Sequence, residues 1–380
     1  MNLRKMKITT DQESLFSAIQ TISTVVPARA TLAILSNVLL TAEEERLVLS
    51  ATDLDISILT RVPVEVHEPG GITVPARKLL QIVRELPNKQ VTLETEGERI
   101  SIRSDRGHYV LTGIPADQFP NLQTEVEGTS IEAEADLLRK MIEKTIFAAS
   151  GDETRPVLNG VLWRIEDHEG AGRMTMVATD GHRLARIIVR LSEPVGKHAE
   201  AILPPKVLHQ LVRLVSGGAA LQKAIIGENF VVFDLGTTVL FSRVIEGPYP
   251  DFDQVIPQEN EKKLVVAYDV LVPGIRRVSI LADSDTHQVR LNLGENTMKL
   301  SSASHDIGAE AEEELPVNYH AGELEIAYDA SYLMDILKNM ASEEVVFELD
   351  TPISAGVVRP VQQQEGQDYL CLIMPLRIVE

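Results

Sequence analysis

Met176-Val177-Ala178-Thr179-Asp180-Gly181-His182-Arg183-Leu184-Ala185-Arg186-Ile187 is the stretch on which the reading of this chain turns. Asp180-Gly181 stands between two runs of alternating apolar residues, 173–178 and 184–191. Glycine accepts the positive φ that tight hairpin turns demand, so the pattern predicts a β-hairpin with a two-residue turn. His182, Arg183 and Leu184 follow at once. On local grounds the commoner reading is a solvated hairpin tip; the sharper one is a site, with Arg183 and Leu184 lining a pocket.

Working outward, the same frame occurs a second time. Leu49-Ser50-Ala51-Thr52-Asp53 matches Met176-Val177-Ala178-Thr179-Asp180. Ile72-Thr73-Val74-Pro75 matches Ala201-Ile202-Leu203-Pro204, Phe119-Pro120-Asn121 matches Tyr249-Pro250-Asp251, and Ser36-Asn37-Val38-Leu39 matches Asn159-Gly160-Val161-Leu162. Four matches in one order, all separated by roughly 130 residues, indicate an internal repeat. A weaker third copy runs through Leu300-Ser301-Ser302 and the segment 324–340. Three units are therefore expected, at 1–127, 128–260 and 261–380, joined through the Pro- and Asp-rich segments 115–127 and 248–262.

Each unit repeats one order of elements. A helix is expected at 11–26, 135–149 and 268–281; in the first, Leu15, Ile19, Ile22 and Val26 recur at three- and four-residue spacing and line one face. Alternating strands follow, such as 46–51 and 56–66. A second helix, opened by proline in the first two copies, is expected at 75–86, 204–215 and 328–340; proline suits the first helical turn because its missing N–H has no partner there. Strands such as 91–94, 99–103 and 108–113 close the unit. Two helices on one face of antiparallel sheets is an α+β domain.

The bulk numbers bound the function. Aromatics make up only 4% of the chain, so the cores rest on Leu, Ile, Val and Ala. No stretch reaches the ~18–20 apolar residues that span a bilayer. Cys371 is the only cysteine, which rules out an intramolecular disulfide and suits a reducing, cytoplasmic setting. The net charge of −20 argues against tight nucleic-acid binding. The six helix segments nevertheless carry a small positive excess, so the acid lies outside them. A mildly basic helix face suits weak, sequence-blind phosphate contact.

Catalytic constellations are missing. There is no phosphate loop, dinucleotide fingerprint, metalloprotease helix, cysteine pair or nucleophile elbow. No metal or cofactor is expected. The alternative that survives is a tandem-domain enzyme with Asp180 and His182 in its active site, set against the reading of Asp180 as a turn residue.

Three α+β units, basic helices in an acidic shell and no catalytic motif resemble the bacterial DNA polymerase III beta subunit family, the sliding clamps. The resemblance covers residues 6–378. It rests on Met6-Lys7-Ile8, Val74-Pro75-Ala76-Arg77-Lys78, Ala178-Thr179-Asp180-Gly181-His182-Arg183-Leu184, Tyr249-Pro250-Asp251-Phe252 and Met374-Pro375-Leu376-Arg377-Ile378, all in order. It implies three tandem clamp domains per chain and a homodimer closing a six-domain ring around double-stranded DNA. The ring slides freely and tethers the replicative polymerase, the clamp loader and other motif-bearing partners, without an enzymatic activity of its own.

The resemblance also implies the sites. A partner-peptide pocket would draw on Leu158, Thr179, Gly181, His182, Arg183, Leu184, Pro250, Val255, Leu372, Met374, Pro375, Leu376 and Arg377, with Arg183 and Arg377 offering donors to the peptide. DNA contacts would come from Arg29, Arg77, Lys78, Lys140, Lys206 and Arg213. The ring interface would set Arg99, Arg103 and Arg106, on a closing strand, against Glu310, Glu312, Glu313 and Glu314, with Ile280 and Leu281 as apolar partners. The chain departs from the family's best-studied members at Pro156 and Val157, where those carry DNA-touching aromatics, at Gln254, where an Arg borders the pocket, and at His108, where an interface Arg stands. Met1–Lys5 precede the usual start.

Overall fold

The computed structural model describes residues 5–87, 89–122, 126–304 and 308–378. Met1–Arg4 and residues 123–125 of the first expected joint lie outside this set. The expected helices form, with edges set by capping: α1 (Gln12–Ser23), α2 (Ala76–Glu85), α3 (Ala135–Glu143), α4 (Pro205–Ser216), α5 (Tyr268–Ser279) and α6 (Ala330–Lys338). Asp11 opens α1. Its Oδ1 accepts the Ser14 N–H at 2.8 Å, and this bond holds the carboxyl below the usual carboxylate range. Leu15, Ala18, Ile19 and Ile22 form the buried stripe of α1; Val26 lies beyond its end, and Val25 is buried instead.

Several helix edges differ from expectation: α1 and α5 stop at Ser23 and Ser279, Pro75 and Pro204 stand before α2 and α4 rather than inside them, and two further differences have a visible cause. The segment 135–149 is not one helix, because α3 ends at Glu143 and a 3₁₀ turn, Ile146–Ala148, follows. Thr145 is buried there and its hydroxyl donates back to the Met141 carbonyl at 2.9 Å, which tightens the last turn and stops propagation. Tyr328 does not start α6. It belongs to a strand, and Asp329 caps the helix by accepting from the N–H groups of Ser331 and Tyr332 at 2.7 and 3.2 Å.

Two compact units emerge, Met1–Leu138 with Lys206–Val244, and Arg139–Pro205 with Ile245–Glu380. They do not coincide with single repeats, because strand pairing runs across the repeat joints. In the first unit, Ile56–Pro63 pairs antiparallel with Thr238–Arg243 at the centre of a nine-stranded sheet. A five-stranded sheet accompanies it, ordered Glu65–Glu68, Lys7–Asp11, Gln90–Glu96, Arg99–Ser104 and Gly107–Thr112.

In the second unit, Arg183–Arg190 pairs antiparallel with the C-terminal strand Gln367–Ile373, placing Leu184 opposite Leu372. This seam lies inside an eight-stranded sheet. A four-stranded sheet is ordered Ala309–Pro316, Thr297–Ser304, Gln288–Gly294 and Leu324–Asp329. α5 packs on three strands of the smaller sheet, on Lys262–Ala267 and on α6, while α6 rests on Leu324–Asp329 and Gln367–Ile373.

The hairpin at Asp180 forms, but its turn is longer than expected. Thr179 pairs with Leu184, so four residues lie between the last paired positions. Side chains build that turn. Thr179 Oγ1 donates to the Arg183 carbonyl at 2.7 Å and accepts from the Gly181 N–H at 3.1 Å. Asp180 Oδ1 accepts from the N–H groups of His182 and Arg183, both at 2.9 Å. Gly181 has φ +91°.

The first repeat builds the same turn with Thr52 and Asp53. Thr52 Oγ1 donates to the Ile56 carbonyl at 3.0 Å, and Asp53 Oδ1 accepts from Asp55 and Ile56 at 3.1 and 2.7 Å. Leu54, at φ +84°, takes the place of the glycine. The Thr-Asp frame is therefore architecture, as its repetition suggests.

Candidate partner-binding site

Side chains alternate across a strand, so Arg183 and Leu184 point to opposite faces of the sheet. Leu184 and its cross-strand partner Leu372 face one side, where they join Leu162, Val177, Ile202, Val357 and Leu370 in a buried cluster. Burial of such a side chain contributes about 1.5–3 kcal/mol. Phe252 and Ile256, from the segment after Tyr249, cover this cluster, and Val157, Ile245, Tyr249 and Ala355 pack half-buried against it. Arg186 shares the face of Leu184 and ties the covering segment down. It donates to Asp253 Oδ1 at 3.1 Å and to Asp368 Oδ2 at 2.6 Å.

Apolar side chains remain open to solvent beside this cluster. Val255, between Phe252 and Ile256, is 56% exposed, and Met374, directly after the C-terminal strand, is 43% exposed. Pro250 is also exposed, while Leu158 is buried. The tail is held at three points: the Met374 N–H donates to the His182 carbonyl and the Leu376 N–H to the Ala327 carbonyl, both at 2.8 Å, and the Gln288 side-chain amide donates to the Arg377 carbonyl at 3.3 Å. Pro375 and Leu376 are half-buried and Arg377 is exposed. Gln254 is exposed, and its amide donates to Asp251 Oδ2 at 2.7 Å.

Arg183 lies apart from this apolar cluster. Its side chain is only 10% exposed and turns to the opposite, helix-bearing face. Nε donates to Asp180 Oδ2 at 3.1 Å, Nη1 to Asp335 Oδ2 at 2.9 Å and Nη2 to the Phe147 carbonyl at 2.9 Å. The rings of Tyr332 and Phe147 lie 4.5 and 5.5 Å from the guanidinium carbon. Three of its five N–H groups are taken up by partners inside the chain. Thr179 likewise spends its hydroxyl in the turn. Asp180 has both carboxylate oxygens engaged, and the exposed His182 ring stacks on Tyr332 with centroids 6.2 Å apart. That arrangement gives no support to the alternative of an Asp180/His182 active site.

Three family models match most of the chain in order: the N-terminal domain of the DNA polymerase III beta subunit at residues 6–123, its central domain at 132–251 and its C-terminal domain at 253–377. The chain belongs to the DNA polymerase III beta subunit family. It is 35% identical to the beta sliding clamp of Escherichia coli K12 over 378 residues, covering 98% of this chain and all of that protein. The solved clamp of Bartonella birtlesii bound to griselimycin superposes with a TM-score of 0.93 at 32% identity, covering 98% of this chain and all of that one. The Pseudomonas aeruginosa clamp, also bound to griselimycin, gives 0.91 at 32% identity with the same coverage. Sliding clamps are processivity factors of DNA replication, and three tandem clamp domains make up this chain.

The remaining expected residues fall on surfaces of this clamp chain. Arg29, Arg77, Lys78, Lys206 and Arg213 are exposed in the first unit, and Lys140 is exposed on α3. Arg77 donates to the Ala28 carbonyl at 3.4 Å, beside Arg29. Lys206 is not free, because it is paired with Asp53 Oδ2. Pro156 and Val157 begin the 3₁₀ turn Pro156–Asn159.

Two sheet edges refine the expected interface. Arg99 and Arg103, though exposed, sit on an inner strand; the edge of the five-stranded sheet is Gly107–Thr112, and Arg106 lies in the turn before it. On that edge Tyr109 and Val110 are exposed, and His108 is bonded through Nε2 to Ser101 Oγ at 2.8 Å. At the edge of the four-stranded sheet, Ala309–Pro316 presents Glu310, Glu312 and Glu314 to solvent, with Lys299 beside Glu312. Glu313 points the other way by strand alternation and pairs with Arg277 of α5, which holds its carboxyl below the usual range. Ile280 is 76% exposed just past α5, and Leu281 is half-buried.

Sequence reasoning passed over Arg186, Asp253 and Asp368, which brace the covering segment, and Phe252 and Ile256, which form it. The signal available was the two-residue spacing of Arg186 from Leu184. No helix among the described residues is long and apolar enough to cross a membrane. No cluster of His, Cys, Asp or Glu among them is arranged to hold a metal ion.

Proposed function

We propose that the chain works as a homodimeric ring that encircles duplex DNA, slides without sequence preference and tethers the replicative polymerase, the clamp loader and other motif-bearing proteins. It acts without catalysis of its own, in the cytoplasm. The domain boundaries are taken as 1–127, 128–260 and 261–380. The observation that carries the reading is the pair of open strand edges, one with exposed Tyr109 and Val110 beside the exposed Arg103 and Arg106, the other with exposed Glu310, Glu312 and Glu314. An exposed apolar edge is a template for pairing with another chain. The exposed basic residues on α2, α3 and α4 support weak phosphate contact within a chain of net charge −20.

The partner peptide is assigned to the surface over Leu184 and Leu372, with Leu158, Gly181, His182, Pro250, Val255, Met374, Pro375, Leu376 and Arg377 around it. Met374 is adaptable and suits several partners. Arg183 and Thr179 support this surface from within the chain.

Sedimentation of the purified chain should give a dimer of twice 41.9 kDa. Loaded onto nicked circular DNA, the protein should co-migrate with it and be lost on linearisation. Val110→Glu, which sets a carboxylate against the acidic edge, should weaken the dimer by about tenfold or more. A monomer that binds linear and circular DNA alike would overturn the ring.

A further inference from the structure

We propose that Asp335 is a positioning residue for the partner site, acting through Arg183 from the opposite face of the sheet. This rests on the reading that partner peptides dock over Leu184 and Met374. Arg183 is enclosed by Asp180, Asp335, the Phe147 carbonyl and two aromatic rings, so its guanidinium has one fixed place. Its backbone is fixed as well. Its N–H donates to Asp180 Oδ1, and its carbonyl accepts from Thr179 Oγ1.

The two residues flanking Arg183 are the ones that shape the docking face. Leu184 points into the apolar cluster, and the His182 carbonyl holds the Met374 N–H at 2.8 Å. Where the guanidinium sits therefore sets where Leu184 and Met374 sit. Within that arrangement Asp335 is the carboxylate contributed by a separate element, α6, whose Tyr332 also stacks on His182. Asp180 closes the local turn. Asp335 couples the turn to the helix layer. A charge-assisted hydrogen bond of this kind, with one partner almost enclosed, is stronger than a neutral one and leaves an under-satisfied cation when removed.

The alternative role for Arg183 is direct contact with the peptide, and the two roles predict opposite signs. If Asp335 holds a strut in place, Asp335→Asn loosens the docking face and weakens binding. If Asp335 competes with the peptide for the guanidinium, Asp335→Asn releases a donor and tightens binding, most for an acidic peptide.

The test is fluorescence anisotropy with a labelled peptide carrying Leu and Phe anchors for this apolar face, in two versions, one with an acidic residue and one without, on the full-length protein checked to be folded by circular dichroism. Asp335→Asn should weaken both versions equally, by about tenfold, and Asp335→Glu should recover much of the loss. Unchanged or tighter binding by Asp335→Asn, or a loss confined to the acidic peptide, would overturn the proposal. Val255→Arg and Met374→Asp are surface controls on the docking face itself. If these bind as the parent does, the site reading fails. If they lose binding while Asp335→Asn does not, only the strut fails.

Discussion

Gly356→Ala is expected to destabilise the second unit by about 1–3 kcal/mol through overpacking. Gly356 pairs with Ile373 in the eight-stranded sheet, next to Val357 of the apolar cluster under the partner site. A β-carbon at this position would lie 2.4 Å from Tyr328 Oη and 3.0 Å from Leu349 Cδ2, whereas Tyr328 Cζ stands at 3.4 Å, an ordinary contact. The conflict is thus mainly with one oxygen. Tyr328 is fully buried, burial pushes its phenol pKa up, and the hydroxyl has no hydrogen-bond partner among the described residues. Tyr328→Phe removes the atom in conflict together with an unpaired buried polar group. Alone it should be neutral or stabilising by up to ~1 kcal/mol. Combined with Gly356→Ala it should recover most of the loss, the Leu349 contact accounting for the remainder. Urea unfolding followed by fluorescence isolates the effect, because the chain's one tryptophan, Trp163, is buried in the second unit. Additive changes in the double variant would refute the reasoning, as would a neutral Gly356→Ala.

Other expectations follow from the repeated turn and from the core. Leu54 holds φ +84° where its repeat partner is Gly181, and half its surface is exposed, so Leu54→Gly should stabilise by about 0.5–1 kcal/mol; a fall in the calorimetric midpoint would contradict this. Cys371 is fully buried with Sγ 3.3 Å from Tyr369 Oη, and burial pushes its thiol up to about 12. Native protein should therefore resist thiol-disulfide reagents at pH 8 and react at once in denaturant. Since the folded pKa is the higher one, the contribution of this thiol to stability is full below about 8.5. It is lost as pH rises towards about 12. A Cys371→Ser variant should show a flatter alkaline profile, and an unchanged profile would count against it.

Much of this fold was legible in the chain because it is local and repeated. Helix stripes such as Leu15, Ile19 and Ile22 follow from 3.6-residue periodicity, and the Thr-Asp frame at residues 52–53 and 179–180 announces its role by recurring. Helix edges were less legible where a side chain intervenes: Thr145 stops α3, and Asp329 caps α6, which starts at Ala330, two residues after Tyr328. For the candidate site, alternation alone implies that Arg183 and Leu184 face opposite ways. It does not say which faces the partner. That choice is made by pairing with Gln367–Ile373, a strand far along the chain, and by the packing of α6 and Phe147 on one face and Phe252 and Ile256 on the other. The interface shows the same division. Composition marks 309–316 as acidic, but only sheet order exposes Gly107–Thr112 as the open edge and turns Glu313 inward to Arg277. Periodicity is a property of neighbours in sequence, whereas edge, face and seam are properties of strands that meet only in the folded chain.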